Sequence, residues 1–167
     1  MYLATVTLHS LLRWLVLAFA LVAIIRAYSG WFGSRPWTPL DDRAGKLLAI
    51  SVDVQMLVGL VLYGLLSPIT WTAFADMGAA MRDATLRFYA VEHLVLMLIA
   101  IALVHIGLAK ARKAAPGAKQ HRTAAIFYTL ALVLVFPLGV AGGSSIRARY
   151  SVTSPASARA FRSRSRC

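Results

Sequence analysis

Cysteine is almost absent from this chain. The single Cys167 is the last residue of the sequence, so there is no disulfide framework and no cysteine-based metal site. Acidic residues are nearly as scarce: six Asp and Glu stand against eighteen Lys and Arg, a formal charge of +12 over 167 residues. The basic residues cluster between apolar blocks and in the tail, with no aromatic-interleaved basic surface and no nucleic-acid motif among them. That distribution points to membrane flanks and anionic headgroups, not to nucleic acid. Nothing resembles a nucleotide loop, a catalytic triad, a thiol motif or a zinc site, and Gly142-Gly143 reads only as a turn. No stretch suggests a soluble catalytic domain.

What the chain has instead is apolar length. Its mean hydropathy is +0.69, and its apolar residues come in blocks of roughly the 20 residues that a bilayer span needs. Four blocks, at about 5–27, 46–66, 87–109 and 124–140, predict an all-α integral membrane four-helix bundle with up-down-up-down topology. They form one domain over residues 1–145, followed by an Arg-rich tail over 146–167. Met1-Tyr2-Leu3-Ala4 is no basic n-region and the first run exceeds a signal-peptide core, so it reads as a retained span. Ser29 to Trp37 reads as a loop whose Trp and Phe side chains suit the headgroup layer. Thr38, Pro39 and Asp41 form a helix start: a cap, a proline at the first helical position, and an acid three residues past the cap. Ser67-Pro68 ends the second span, and a short surface helix is expected within 67–86. Pro137 predicts a kink in the fourth span, and Ala141 to Ser145 should release the chain into a disordered tail with six Arg and no acid.

Orientation follows from the short loops. Arg26, Arg35, Arg43 and Lys46 follow span one, and Lys110, Arg112, Lys113, Lys119 and Arg122 follow span three, whereas Arg82 and Arg87 alone lie between spans two and three. The positive-inside rule then places both termini outside, N-out and C-out, against the opposing pull of the tail's arginines.

Inside the apolar runs sit a few ionisable groups, which are costly in a bilayer and need a partner or a task. His9 lies roughly 6 Å down span one and His93 roughly 9 Å down span three, at 1.5 Å per residue. They share a layer, on helices that are diagonal neighbours in such a bundle. The pair suits the two axial positions of a haem iron, and it equally suits a structural polar cluster or a quinone- or proton-handling site. Tyr89, His93, Leu96, Ala100, Val104 and Gly107 form one stripe at 100° per residue, with Ala100 and Gly107 small enough for close approach. His105 is twelve residues from His93 and about 120° away, which disfavours a second stacked haem and suggests a packing residue. Arg13, one turn after His9, is expected to meet Glu92 in a structural polar cluster. Ser51, Gln55, Gly59 and Tyr63 make a polar and small stripe in span two. Asp53 faces away from that stripe, where it could pair with His105. His121, in a basic loop, is expected to be solvated or headgroup-facing.

The segments Leu8-His9-Ser10-Leu11-Leu12-Arg13-Trp14, Gln55 to Tyr63 and Glu92-His93, together with the basic loop after span three, resemble a family of small bacterial four-span proteins labelled cytochrome b-like. The likeness covers about residues 1–140. It implies a b-type haem electron carrier of the inner membrane, with His9 and His93 as the matching axial ligands. Similar sequences often carry His where this one has Asp53, a departure that removes a possible inner ligand.

Two classes of function follow. One is a membrane cytochrome with one haem b between helices 1 and 3, passing electrons between quinol and an outer-side redox partner. The other is a cofactor-free accessory or structural subunit of a larger membrane complex. Either is an electron-transfer or accessory subunit more than a stand-alone enzyme. A transporter is less consistent, since neither inverted repeats nor broken midplane helices are present.

Overall fold

The structure is a computed structural model that describes the backbone of residues 1–152 and the side chains of residues 1–135. Among the described residues it is helical, without strands. Helix α1 spans Tyr2–Phe32 and α2 spans Pro39–Val61, continued by a π-turn at Leu62–Leu66. Three short helices follow, α3 at Pro68–Ala75, α4 at Met77–Arg82 and α5 at Ala84–Arg87. A second π-turn, Phe88–Glu92, leads into α6 at His93–Lys113, and α7 spans Ala118–Val152. Three helical runs, Tyr2–Phe32, Pro39–Leu66 and Ala84–Lys113, are long and apolar enough to cross a membrane. Each is longer than its apolar block. At 1.5 Å per residue a run of about 30 residues reaches roughly 45 Å, past a hydrocarbon core of about 30 Å and into the headgroups. For this reason α1 continues through the expected loop at Ser29 and ends only at Gly33.

The start of α2 follows its sequence signature. The Thr38 backbone N–H donates to Asp41 Oδ2 at 2.8 Å and the Thr38 hydroxyl to the same oxygen at 2.6 Å. Asp41 is buried and also receives Arg26, whose Nη2 lies 2.9 Å from Oδ1. That pair pins the end of α1 to the start of α2 across a connection of six residues, 33–38.

Residues 67–86 form three short helices where one was expected. Ser67, Asp76 and Asp83 each accept from backbone N–H groups ahead of them, those of Thr70, Ala79, Thr85 and Leu86, at 2.8–3.4 Å. Each such cap stops one helix and starts another, because the side chain takes over donors that a continuous helix would have bonded itself. The three pieces fold into a cap, with Ala73 and Ala80 packed against Ala90 in a small apolar cluster.

The main core lies at the opposite end. There α1 buries Val16, Ala20, Ala23, Ile24 and Ala27; α2 buries Ala44, Leu48, Ala49 and Val52. Helix α6 adds Ala100, Val104, Leu108 and Ala111, and the first turns of α7 add Ala124, Ala125, Tyr128 and Ala131. Alanine dominates because helices in lipid gain little from burying bulk and associate through close backbone approach. Gly107 shows this directly, since a Cβ there would come within 2.5 Å of Phe127 Cβ. Among the described residues no apolar side chain of α1, α2 or α6 is buried between the two clusters: α1 has none before Val16, α2 none after Val52, and α6 none before Ala100. His9 and His93 belong to that gap.

Two expectations about the C-terminal part change. Helix α7 starts at Ala118 and runs through Gly142-Gly143 to Val152, so the chain is not released at 141–145. Two glycines cost a helix only about 1 kcal/mol each relative to alanine, too little to end it without a competing cap. Helix α7 continues through Pro137, and the part of the expected disordered tail beyond Val152 lies outside the described residues.

Candidate functional site

The site begins with Gln55, which reaches from α2 to α1. Its side-chain amide donates to the backbone carbonyl of His9 at 3.0 Å and lies 3.2 Å from His9 Nε2. A helix carbonyl can accept a second bond, so the first of these contacts is compatible with an intact α1. The second selects the His9 tautomer that leaves Nε2 as acceptor and puts the proton on Nδ1. One turn further along α2, Gly59 faces the same ring. A Cβ at this position would stand 3.1 Å from His9 Cε1, so only the bare backbone leaves the imidazole undisturbed.

His93 arrives from α6, directly after the π-turn Phe88–Glu92. A π-turn inserts a residue into the helix and frees a carbonyl from the regular ladder, and such turns gather at functional sites. Here the hydroxyl of Tyr63, itself in the other π-turn, donates to Ala90 O at 2.7 Å. Thr70 in turn donates to Tyr63 O at 2.7 Å. The first irregular turn thus satisfies a carbonyl of the second, and Thr70 of α3 satisfies a carbonyl of the first. Phe88 lies against the ring, its centroid 5.8 Å away.

The result is a facing pair. The His9 and His93 ring centroids are 6.4 Å apart with the planes at 72°. Buried in the same layer, His9 Nδ1, His93 Nδ1 and Gln55 Oε1 have no protein partner. Each such atom costs roughly 1–3 kcal/mol when left without a bond, so three in one layer mark a place that accommodates a polar guest. Two metal–nitrogen bonds of roughly 2 Å, plus about 1 Å from each nitrogen to its ring centre, put bis-imidazole centroids about 6 Å apart. The 6.4 Å centroid spacing is of that size, with the rings edge to face. Among the described residues no three His, Cys, Asp or Glu side chains converge as ligands.

The other candidates are placed differently from the expectations. Arg13 was expected to meet Glu92 directly or through water; among the described residues no direct ion pair joins them, and Glu92 Oε1 takes Arg87 Nε at 2.6 Å. Arg87 is nearer because it sits across the π-turn from Glu92, while the Arg13 guanidinium lies 5.7 Å from the Trp14 ring. His105 pairs with Asp53, Nε2 to Oδ1 at 2.9 Å, which decides the question that helical spacing left open. It is not a core packing residue: the side chains of the pair are 46% and 49% exposed. His121, expected to face solvent or headgroups, is fully buried. Its ring tilts against Trp37 at 5.0 Å and its Nε2 lies 3.4 Å from Pro36 O. The bare backbone of Gly30 makes the room, since a Cβ there would overlap His121 Nδ1. Gln55 was visible in the sequence as part of a polar stripe, but its role as the orienter of His9 was not. The π-turns left no sequence signal.

No protein-family model matches this chain, and neither a curated protein nor a solved structure is significantly similar to it.

Proposed function

We propose that this chain is a b-type cytochrome-like electron-transfer protein or subunit of the bacterial inner membrane, with one haem b held by His9 and His93. The single observation behind the reading is the 6.4 Å separation of the two imidazoles in a layer where, among the described residues, α1, α2 and α6 bury no apolar side chain. In the full reading, α1, α2, α6 and α7 form an up-down-up-down four-helix bundle, with the basic connections on the cytoplasmic face and both termini outside. Haem, when bound, supplies reversible one-electron transfer between a quinol and an acceptor. The chain's own residues do the positioning. His9 and His93 offer one nitrogen lone pair each from opposite helices. Gln55 holds the His9 backbone carbonyl, and its contact to Nε2 would give way for that nitrogen to ligate iron. Gly59 keeps the space beside the His9 ring open, and Tyr63 locks the turn from which His93 projects.

A second reading has one observation in its favour. The Gln55–His9 contact at 3.2 Å already engages Nε2, so the layer also suits a cofactor-free polar fastening in an accessory subunit, or a quinone head group. A visible spectrum separates the readings. Purified protein supplied with haemin and then reduced with dithionite should show the sharp alpha band of bis-imidazole haem, and His9→Ala or His93→Ala should abolish it. If the wild-type protein shows no alpha band under these conditions, the cytochrome reading is wrong and the accessory role takes its place.

A further inference from the structure

We infer that the groove between α1 and α7, at the basic end of the molecule, is a binding site for one anionic phospholipid. Its phosphate meets Arg122 and Lys119, and its acyl chains run below an aromatic shelf of Tyr28, Trp31 and Phe32. Charge at this end is unbalanced. Asp41 pairs with Arg26, and Asp42 with both Lys46 and Arg112, at 2.6–2.9 Å. Arg35, Arg43, Lys110, Lys113, Lys119 and Arg122 lie at the same end, and among the described residues none of them meets a carboxylate. The cap at the other end is close to neutral, with Arg82 and Arg87 against Asp76, Asp83 and Glu92. A surplus of cations attracts anionic headgroups to a whole end. The seam of α1 and α7 adds a shape.

Arg122 lies over Trp31, its Cζ 5.7 Å from the ring centroid. Tyr28, Trp31 and Phe32 stack on one another at 5.1–5.9 Å, with their planes within 23°. The Tyr28 hydroxyl shares a hydrogen bond of 3.2 Å with Thr129, which fastens the shelf to α7, yet Phe32 remains exposed. Away from this end each helix presents an apolar stripe. Leu21, Ile25, Tyr28 and Phe32 fall on one face of α1, and Arg122, Ile126, Leu130 and Val133 on one face of α7, by helical spacing. Leu21, Ile25, Ile126, Leu130 and Val133 are exposed. From Phe32 to Leu21, and from Arg122 to Val133, the rise is about 16 Å at 1.5 Å per residue. That is the depth of one leaflet, half of a hydrocarbon core of about 30 Å. Lys119, one turn before Arg122 and also exposed, gives the phosphate a second cation. Cations, an aromatic shelf suited to the headgroup layer and an apolar stripe one leaflet deep follow one another as the parts of a phospholipid do. An acidic protein in water would satisfy the cations and leave the stripe bare, and a zwitterionic lipid would bring a further cation to a place that already has a surplus. The inference does not depend on whether the chain binds haem.

The test is thermal unfolding of the full chain in detergent micelles, with phosphatidylglycerol, phosphatidylcholine or inorganic phosphate titrated in at matched ionic strength. A ligand of the folded state raises the midpoint by mass action. Phosphatidylglycerol should raise it well above phosphatidylcholine, and inorganic phosphate should not raise it. Arg122→Gln should weaken the apparent affinity for phosphatidylglycerol by on the order of fivefold. Phe32→Ala, which keeps every charge, should weaken it too. Arg43→Gln removes an exposed cation from the same end, on α2, and should bind as wild type does. The tail's arginines are common to all these variants, so they produce no difference between them. Should Arg122→Gln fail to fold, Lys119→Gln on the same exposed face carries the comparison with Arg43→Gln. Equal losses at position 43 and at the seam would mean diffuse attraction and overturn the site. An equal response to the two lipids overturns its anionic selectivity, and an equal response to inorganic phosphate makes it a phosphate site and not a lipid site.

Discussion

Replacing Gln55 by leucine separates the two roles that this residue combines. In the protein without haem, the substitution removes the contacts at 3.0 and 3.2 Å to His9, at a net cost of about 1 kcal/mol each. It also removes Gln55 Oε1, a buried acceptor without a protein partner, which returns roughly 1–3 kcal/mol of desolvation penalty. The two sums nearly cancel, so the unfolding free energy of the haem-free protein should stay within about 1 kcal/mol of wild type. Haem affinity should behave otherwise. Loss of the partner that orients a metal-binding histidine typically weakens binding by about 10–100-fold, and nothing else in the layer replaces Gln55. Unfolding in mixed detergent micelles gives the first quantity and a spectroscopic haem titration gives the second. A loss of more than about 3 kcal/mol in the haem-free protein would mean that Oε1 was bonded after all. Unchanged haem affinity would refute the orienting role of Gln55 even if stability behaves as expected.

Two further substitutions test the packed end. Gly30→Ala should destabilise by about 1–3 kcal/mol, because the overlap with the buried His121 ring outweighs the roughly 1 kcal/mol that alanine gains in a helix; adding His121→Ala should recover part of the loss in the same unfolding assay. Arg26→Leu should cost about 3 kcal/mol by leaving the buried Asp41 without its cation, and Arg26→Leu/Asp41→Leu should cost less than the sum of the single changes. Strict additivity of the unfolding free energies would show that the two residues are not coupled.

Much of the architecture was legible in the residues. The long apolar blocks give the long helices because only a helix satisfies its own backbone in lipid. Thr38-Pro39 and Asp41 give the start of α2 because a cap is a local device. The polar stripe from Ser51 to Tyr63 was legible for the same reason, since its members lie on one helix. What the sequence concealed depends on contacts between elements. Glu92 pairs with Arg87 and not with Arg13, because the π-turn before His93 shifts the helical phase and no propensity announces such a turn. His121 looks like a loop histidine until Gly30, ninety-one residues earlier in the sequence, is seen to leave a hole of its shape. Helix α7 overruns Gly142-Gly143 because glycine weakens a helix without ending it.

The division of the interior into two apolar clusters has a mechanical consequence. The cluster from Val16 to Ala131 grips the four chain segments at one end, like the spring of a clothes peg. Beyond it, α1 extends from Val16 back to Tyr2, about 21 Å at 1.5 Å per residue, without a buried apolar side chain. A tilt of about 5° about the gripped end would carry the tip of such an arm roughly 2 Å sideways. The opposite jaw is stiffer, because the Tyr63–Ala90 bond ties the end of α2 to the beginning of α6 beneath the cap. Opening therefore falls to α1, the arm that carries His9, and it breaks the Gln55 contacts to His9. A flat molecule would enter sideways from the acyl chains and find His93 already in place, and His9 would close over it last.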